Sequence, residues 1–444
     1  MRAKANWVGA SGWWKAHETL FLISLVILPY ASYLGLVGLG VMLMGWFVAY
    51  PQDLWHRLSR QGWLWLALGI GVSVAMAENP TMAALQAMNF WPFFPFFAGL
   101  SIYITRLPQP LHSLKRWAFW LLVGSIPINL RAILEYGSTG VVLLRNGGGS
   151  SVILSHRVDS VFGNPNVLAA YLVIIFGLGL GLCLQTLPPP PTQPMPSPSS
   201  LAGSSNFANL LPLPLPISRA AWIYSATALI PVGILCSGSR NGLLALTLQL
   251  FIAILLMRRH RGFLWVGLGA ITAILGGVLH WGIGGRSIAE AFSSSSLRVD
   301  IWAIALPYIQ QNPWFGIGFG GFEMNYVPNT IPYHSSLAHV HNLWLHLAAE
   351  AGLPVMLLFT GIVGSICYRA VRHYCLATWD QGHRSLLVAY GLGFLACGVG
   401  ALFDITLFDA RVNVLGWMML AALQAIPDLG ESPHPSTITY EAKP

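Results

Sequence analysis

The chain is 444 residues long, 55% hydrophobic and only 9% charged, with a formal net charge of +8 at pH 7. Soluble globular domains carry roughly 25% charged residues, so this composition excludes a water-soluble globular enzyme; the apolar excess must face lipid. The eighteen Trp and fourteen Tyr suit the headgroup layer, where amphipathic rings collect, and the five cysteines form neither a disulfide framework nor a CxxC metal motif.

A membrane span needs roughly 17–25 mostly apolar residues. In chain order, such runs are expected near 19–34, 35–50, 63–78, 88–105, 117–134, 166–184, 219–236, 241–257, 263–281, 343–367, 385–402 and 411–426. The fold class is therefore all-α: a polytopic transmembrane helical protein of about twelve spans, with a helical extracytoplasmic loop. The first run begins near Leu20 and many follow it, so it reads as a span and not as a cleaved signal peptide. The organisation is N-terminal membrane helices (1–184), a linker (185–218), central membrane helices (219–281), a large extracytoplasmic loop (282–342), C-terminal membrane helices (343–426) and a cytoplasmic tail (427–444).

Short basic loops set the orientation. With both termini cytoplasmic, every strongly basic short loop lies on the cytoplasmic side, Arg258-Arg259-His260-Arg261 being the clearest. Seven basic residues remain outside: Arg131, Arg145, Arg157, Arg240, Arg286, Arg298 and Arg411. The expected location is the cytoplasmic (inner) membrane.

Two loops are long. The linker, with Pro188 to Pro191 followed by Pro, Ser, Gly and Asn, has no core-forming composition and reads as flexible. In the outer loop, Ser293 to Ser296 read as the N-cap of a helix over Leu297–Leu306. This helix is apolar all round and suits a place on the membrane or under other loops. Asn312-Pro313 ends it, and Gly316, Gly318, Gly320 and Gly321 then read as a tight, mobile turn. The GxGxGG run follows no strand, so it is not a dinucleotide site.

Arg145, Arg286 and Arg411 are expected to pair with an acid or lipid phosphate, Asp404 and Asp409 standing near Arg411. Arg240 differs. Ser237-Gly238-Ser239-Arg240-Asn241-Gly242 is a small-residue turn opening a helix, and a helix start binds anions before any side chain is added. The guanidinium adds a fixed charge and a bidentate fork for phosphate. Arg298 repeats the design; Arg157, which precedes Val158-Asp159, could simply pair with Asp159. His339-Val340-His341-Asn342 ends the outer loop, with His346 and Glu350 one turn apart beyond it and able to satisfy one another. A metal set is not expected; one histidine acts better as a general base. Together these groups suit one chemistry: arginines hold a diphosphate leaving group while His deprotonates a hydroxyl. No single outer loop holds a carboxylate pair for glycoside hydrolysis.

At these residues the chain resembles the O-antigen ligase superfamily, which also holds glycan polymerases. The resemblance rests on Ser239-Arg240-Asn241-Gly242; on Arg298 with Trp302, then Asn312-Pro313-Trp314-Phe315-Gly316-Ile317-Gly318; on His341-Asn342 with Glu350-Ala351-Gly352; and on Arg157 with Phe162-Gly163-Asn164-Pro165-Asn166. It implies that Arg240, Arg298 and His341 are the functional residues of an inverting, metal-independent glycosyltransferase without cofactor. Arg157, His339 and Asn342 then belong to substrate binding, Asn342 by holding the His341 ring or capping the next helix. The implied partners are membrane lipid, a polyprenyl-diphosphate-linked (undecaprenyl-type) glycan and a glycan or lipid acceptor, with no nucleic acid. The chain is also similar to a cyanobacterial branch labelled as bicarbonate transporters. Inorganic-carbon transport is therefore the alternative, and it would need ionisable residues in discontinuous helices near the bilayer midplane.

Overall fold

The computed structural model describes residues 10–145, 157–186, 218–256, 261–281, 288–331, 336–376 and 380–431. The first half contains α1 (Ala10–Ile27), α2 (Ser32–Ala49), α3 (Pro51–Arg60), α4 (Trp63–Met76), α5 (Pro80–Ala87), α6 (Phe93–Arg106), α7 (Pro110–Gly124), α8 (Ile126–Arg145) and α9 (Pro165–Thr186). The second half contains α10 (Arg219–Ser237), α11 (Arg240–Leu256), α12 (Arg261–Trp281), α13 (Ile288–Gln311), α14 (Gly321–Asn325), α15 (Leu343–Ala351), α16 (Leu353–Leu376), α17 (Gln381–Phe403) and α18 (Ala410–Glu431). Among the described residues there is no strand.

The chain is an all-α polytopic membrane protein. Among the described residues, seven helical stretches are long and apolar enough to cross a bilayer: Ser32–Ala49, Pro110–Ser138, Pro165–Thr186, Arg219–Ser237, Leu353–Leu376, Gln381–Phe403 and Ala410–Gly430. Trp63–Met76, Arg240–Leu256 and Leu264–Ile274 are shorter apolar helices. Each segment expected to span contains helix, but several boundaries differ. The first helix ends at Ile27, because Pro29 cannot sit inside a helix. The 117–134 segment crosses the α7–α8 junction at Ser125. The segment expected as one span over 343–367 is two helices, divided at Gly352. Its φ of 88° and ψ of 163° are open essentially to glycine alone, and a Cβ there would stand 2.3 Å from the Trp314 carbonyl oxygen.

The centre of the bundle is α9 against α17. Both are apolar on every side, as helices enclosed by other helices must be. Their approach depends on small residues at four-residue spacing: a Cβ on Gly177 would meet the Gly393 backbone nitrogen at 2.5 Å, and one on Gly181 would meet the Ala389 Cβ at 2.2 Å. Small residues that let backbones close are the usual means of helix association in lipid. The buried Gln249 amide of α11 donates to the Val173 carbonyl (3.0 Å) and the Leu392 carbonyl (2.8 Å), tying three helices together.

A second, smaller core forms in the loop region, where Ile301 and Ala305 of α13 pack with Phe322, Tyr326, Ile331, Leu337 and Val340. The α13 helix covers the expected 297–306 and stops at Gln311. It begins earlier than expected, however, and Ser293–Ser296 lie inside it, not at its cap. Serine is only mildly unfavourable in a helix interior, and Ile288-Ala289-Glu290-Ala291 ahead of it extends the helix. The Gly316–Gly321 turn is tied by hydrogen bonds to the end of α15. Ile317 donates to the Ala349 carbonyl (2.9 Å), Gly318 to the Glu350 carbonyl (3.1 Å), and Leu353 to the Pro313 carbonyl (2.8 Å). The Glu350 carboxylate accepts from the Gly320 and Phe322 amides at 2.9 and 3.1 Å. Contrary to expectation, Glu350 and His346 do not satisfy one another: the two approach to 3.3 Å, yet both ring nitrogens of His346 lack an aligned partner. Residues 187–217 of the expected linker, the tail beyond Glu431, Arg258-Arg259-His260, Arg286 and the Arg145 side chain lie outside the described residues, while 185–186 end α9 and 427–431 continue α18.

Candidate functional site

Four segment ends meet at one end of the bundle: the start of α9, the α10–α11 turn, the residues before α15 and the residues after α17. At their meeting point His341 Nδ1 lies 3.1 Å from Asp404 Oδ1. His341 is held in a left-handed backbone conformation, φ 53°, which is rare outside glycine and clusters at functional positions. Asn342 locks this bend from the next position. Its side-chain oxygen caps α15 by accepting from the Leu345 amide at 3.0 Å, and its amide donates to the Leu402 carbonyl at 3.0 Å. Of the two roles considered for Asn342, the structure shows the cap.

Asp404 is buried at the end of α17. Oδ1 also accepts from the Ile405 amide (2.9 Å), and Oδ2 accepts from the Asn166 side chain (3.0 Å). Burial acts to raise its pKa; the hydrogen bond and charge of His341, then His339 and the Ile405 amide, outweigh it and hold the carboxyl below its ordinary value. An ionised Asp404 accepts from Nδ1–H, which fixes the tautomer and leaves Nε2 of His341 as the basic nitrogen.

Asn166 carries the network to the arginines. Its side-chain oxygen accepts from Arg157, whose Nε donates to the Ser237 carbonyl at 3.1 Å. The guanidinium thus braces the start of α9 against the α10–α11 turn. Gly238 ends α10 in a left-handed conformation, Ser239 accepts from the Gly242 amide at 3.4 Å, and Arg240 opens α11, half-buried. Asn166, Ser239, Asn241 and Gly242 line one small cavity between α9, α11 and α17, so the helix start expected to bind an anion borders the Asp404 network. Arg298 reaches the same place from α13: its Nε donates to the Phe403 carbonyl at 2.8 Å, one residue before Asp404. Burial lowers its pKa, against the raising effect of the Asp404 charge.

His339 stacks edge-on to His341 at 4.2 Å between ring centroids. Burial, and then the charge of His341, push it down to about 4, so it is neutral at physiological pH. Ligand atoms of His339, His341 and Asp404 lie within 4.8 Å of one another and could in principle hold a cation. Both Asp404 oxygens and the Nδ1 of His341 are already engaged in hydrogen bonds, which fits an imidazole–carboxylate pair better than a ligand set.

Arg411, expected to be structural, is so. It pairs with Asp409, donates to the Val161 and Phe162 carbonyls at 3.1 and 3.0 Å, and lies over the Phe162 ring. Asp404, expected beside it as an alternative partner, joins His341 instead. That assignment was missed because 63 residues separate the pair and no spacing rule links them.

Residues 218–360 match the family model described as O-antigen ligase. The matched stretch holds Arg240, Arg298, His339, His341 and Asn342; Arg157, Asn166 and Asp404 fall outside it. No curated protein matches the chain.

Proposed function

We propose that the chain is a glycosyltransferase of the O-antigen ligase type, which moves a glycan from a polyprenyl-diphosphate carrier to an acceptor hydroxyl on the outer side of the cytoplasmic membrane. The observation that carries this reading is the imidazole–carboxylate pair of His341 and Asp404 with Arg298 bonded one residue away. His341 Nε2 takes the proton of the acceptor hydroxyl. The hydroxyl oxygen bonds to the anomeric carbon as the bond from that carbon to the diphosphate oxygen breaks, so configuration inverts. Arg240, at the start of α11, and Arg298 neutralise the charge growing on the departing diphosphate, the role a divalent metal otherwise fills. Arg157 serves as a brace for this arrangement, and His339 shields the imidazole from water. The family match over 218–360 supports the same chemistry.

The transport reading requires a buried ionisable group available to an ion. Glu350 is buried beside a helix break, but both of its carboxylate oxygens accept loop amides, so glycan transfer is the better reading.

The test is transfer in membranes containing the His341→Ala chain, with labelled lipid-diphosphate glycan as donor. Loss of transfer by about 10²–10⁴-fold with unchanged membrane insertion is expected. Normal transfer removes His341 from the chemistry.

A further inference from the structure

A second polar cavity lies at the far end of the bundle. Helix α18 starts beside the Asp404 network and reaches Asp428 eighteen residues after its first residue, about 27 Å away at 1.5 Å per residue. Around Asp428 is an open cavity of about 380 Å³, lined among the described residues by the guanidiniums of Arg57, Arg60, Arg106 and Arg369 and by two carboxylates, Asp53 and Asp428. Arg57 lies 3.4 Å from Asp428 and donates to Ser101 at 3.0 Å; Arg369 pairs with the same Asp428, and Arg106 with Asp53. Arg60 lies 3.3 Å from His56 Nε2 and has no carboxylate within ion-pair distance among the described residues. Among the described lining residues, four positive charges against two negative leave a positive excess of two.

Two further features say what this excess faces. The cavity wall includes α3, a short helix that buries Leu54 and Leu58 and leaves Trp55 65% exposed. A polar helix with one outward Trp lies in the headgroup plane. Second, the polar cavity opens onto an apolar groove. Arg60 and Gln61 line both, and beyond them the groove runs along α16 between Leu357 and Ile366. A Cβ on Gly361 would meet nothing within 4 Å, so the groove floor is open, and eight to nine residues of helix give it a length of about 13 Å.

A charged socket at headgroup depth that continues into a greasy trench is the shape of a lipid, not of a free ion. We propose that this site binds one anionic phospholipid, its phosphate headgroup among Arg57, Arg60, Arg106 and Arg369 and an acyl chain along α16 past Gly361. Basic pockets between membrane helices take acidic headgroups in this way, and guanidinium forks suit phosphate oxygens. The site lies at the opposite end of the bundle from His341 and does not depend on the reading of that site.

The test uses the full chain in detergent, with phosphatidylglycerol, phosphatidylcholine of the same acyl chains, and inorganic phosphate as probes, and counts retained lipid by native mass spectrometry. One phosphatidylglycerol should be retained, in preference to phosphatidylcholine, and inorganic phosphate should not displace it. Arg60→Gln removes a headgroup contact and Gly361→Leu fills the trench; each should weaken retention by about tenfold, while the unfolding temperature without lipid stays at the wild-type value. Equal retention of phosphatidylcholine overturns the headgroup assignment. Displacement by inorganic phosphate reduces the site to one for free anions and overturns the lipid. If Arg60→Gln proves unstable, undiminished retention by Gly361→Leu overturns the trench on its own.

Discussion

Asp404 accepts the Nδ1 proton of His341 across 3.1 Å, joining the end of α17 to the residue two before α15. The carboxylate orients the ring and fixes its tautomer. Asp404→Asn should therefore lower glycan transfer by about 10⁴-fold, because an amide at this position favours the other imidazole tautomer. A merely structural Asp404 would leave transfer per inserted chain at the wild-type rate. The measurement is transfer rate for both chains, in membranes with matched protein content.

His339 gives a separate pH signature. Its pKa is pushed down to about 4 from the ordinary 6.5 by burial and by His341. Below pH 6.5 the unfolded chain takes up this proton and the folded chain resists it, so stability from this group is lost as pH falls from 6.5 toward 4. Asp404 acts in the same sense but lower down, since its stabilisation is lost only as pH falls below the ordinary carboxylate value of 3.8 and through its lowered folded one. His339→Gln should thus flatten the fall in unfolding temperature between pH 6.5 and 4. An unchanged slope would show that the folded site protonates this ring as readily as water does.

Arg298 and Arg240 can be told apart by Lys substitution. Lys keeps charge and loses the fork. Arg298→Lys also loses the Nε bond to the Phe403 carbonyl, leaving a carbonyl beside Asp404 unpaired at a cost of about 1–3 kcal/mol. Both substitutions should leave partial transfer, with Arg298→Lys the less thermally stable of the two. Transfer by Arg240→Lys at the wild-type rate would make Arg240 structural.

The glycine-rich turn should be intolerant of any side chain. Gly318 has φ 90°, and its Cβ would meet the Ala77 backbone at 2.6 Å. Gly318→Ala should lower the unfolding temperature, the turn having to leave α4. Gly364→Ala, on the same chain where a Cβ meets nothing within 4 Å, is the matching control and should be neutral or mildly stabilising.

Much of this was legible from residue order. Hydropathy located the helices, because lipid permits few alternatives to a long apolar helix. Turn composition and charge located Arg240, Arg298 and His341, all of which the structure places around the four converging segment ends. What residue order did not show was the second layer. Asn166 and Asp404 are ordinary polar residues at helix ends, and their link to Arg157 and His341 exists only through the α9–α17 packing that Gly177 and Gly181 permit. The break at Gly352 did carry a signal: Glu350 interrupts the apolar run and Gly352-Leu353-Pro354 is a helix-stop pattern, which the approach of the Trp314 carbonyl enforces.

The long separation between His341 and Asp404 also sets a time order for biogenesis. A ribosome that has translated α15 and α16 has made the imidazole without its carboxylate; α17 must be synthesised and laid against α9 before the pair exists. The His341–Asp404 contact therefore forms late, after most of the bundle has been synthesised.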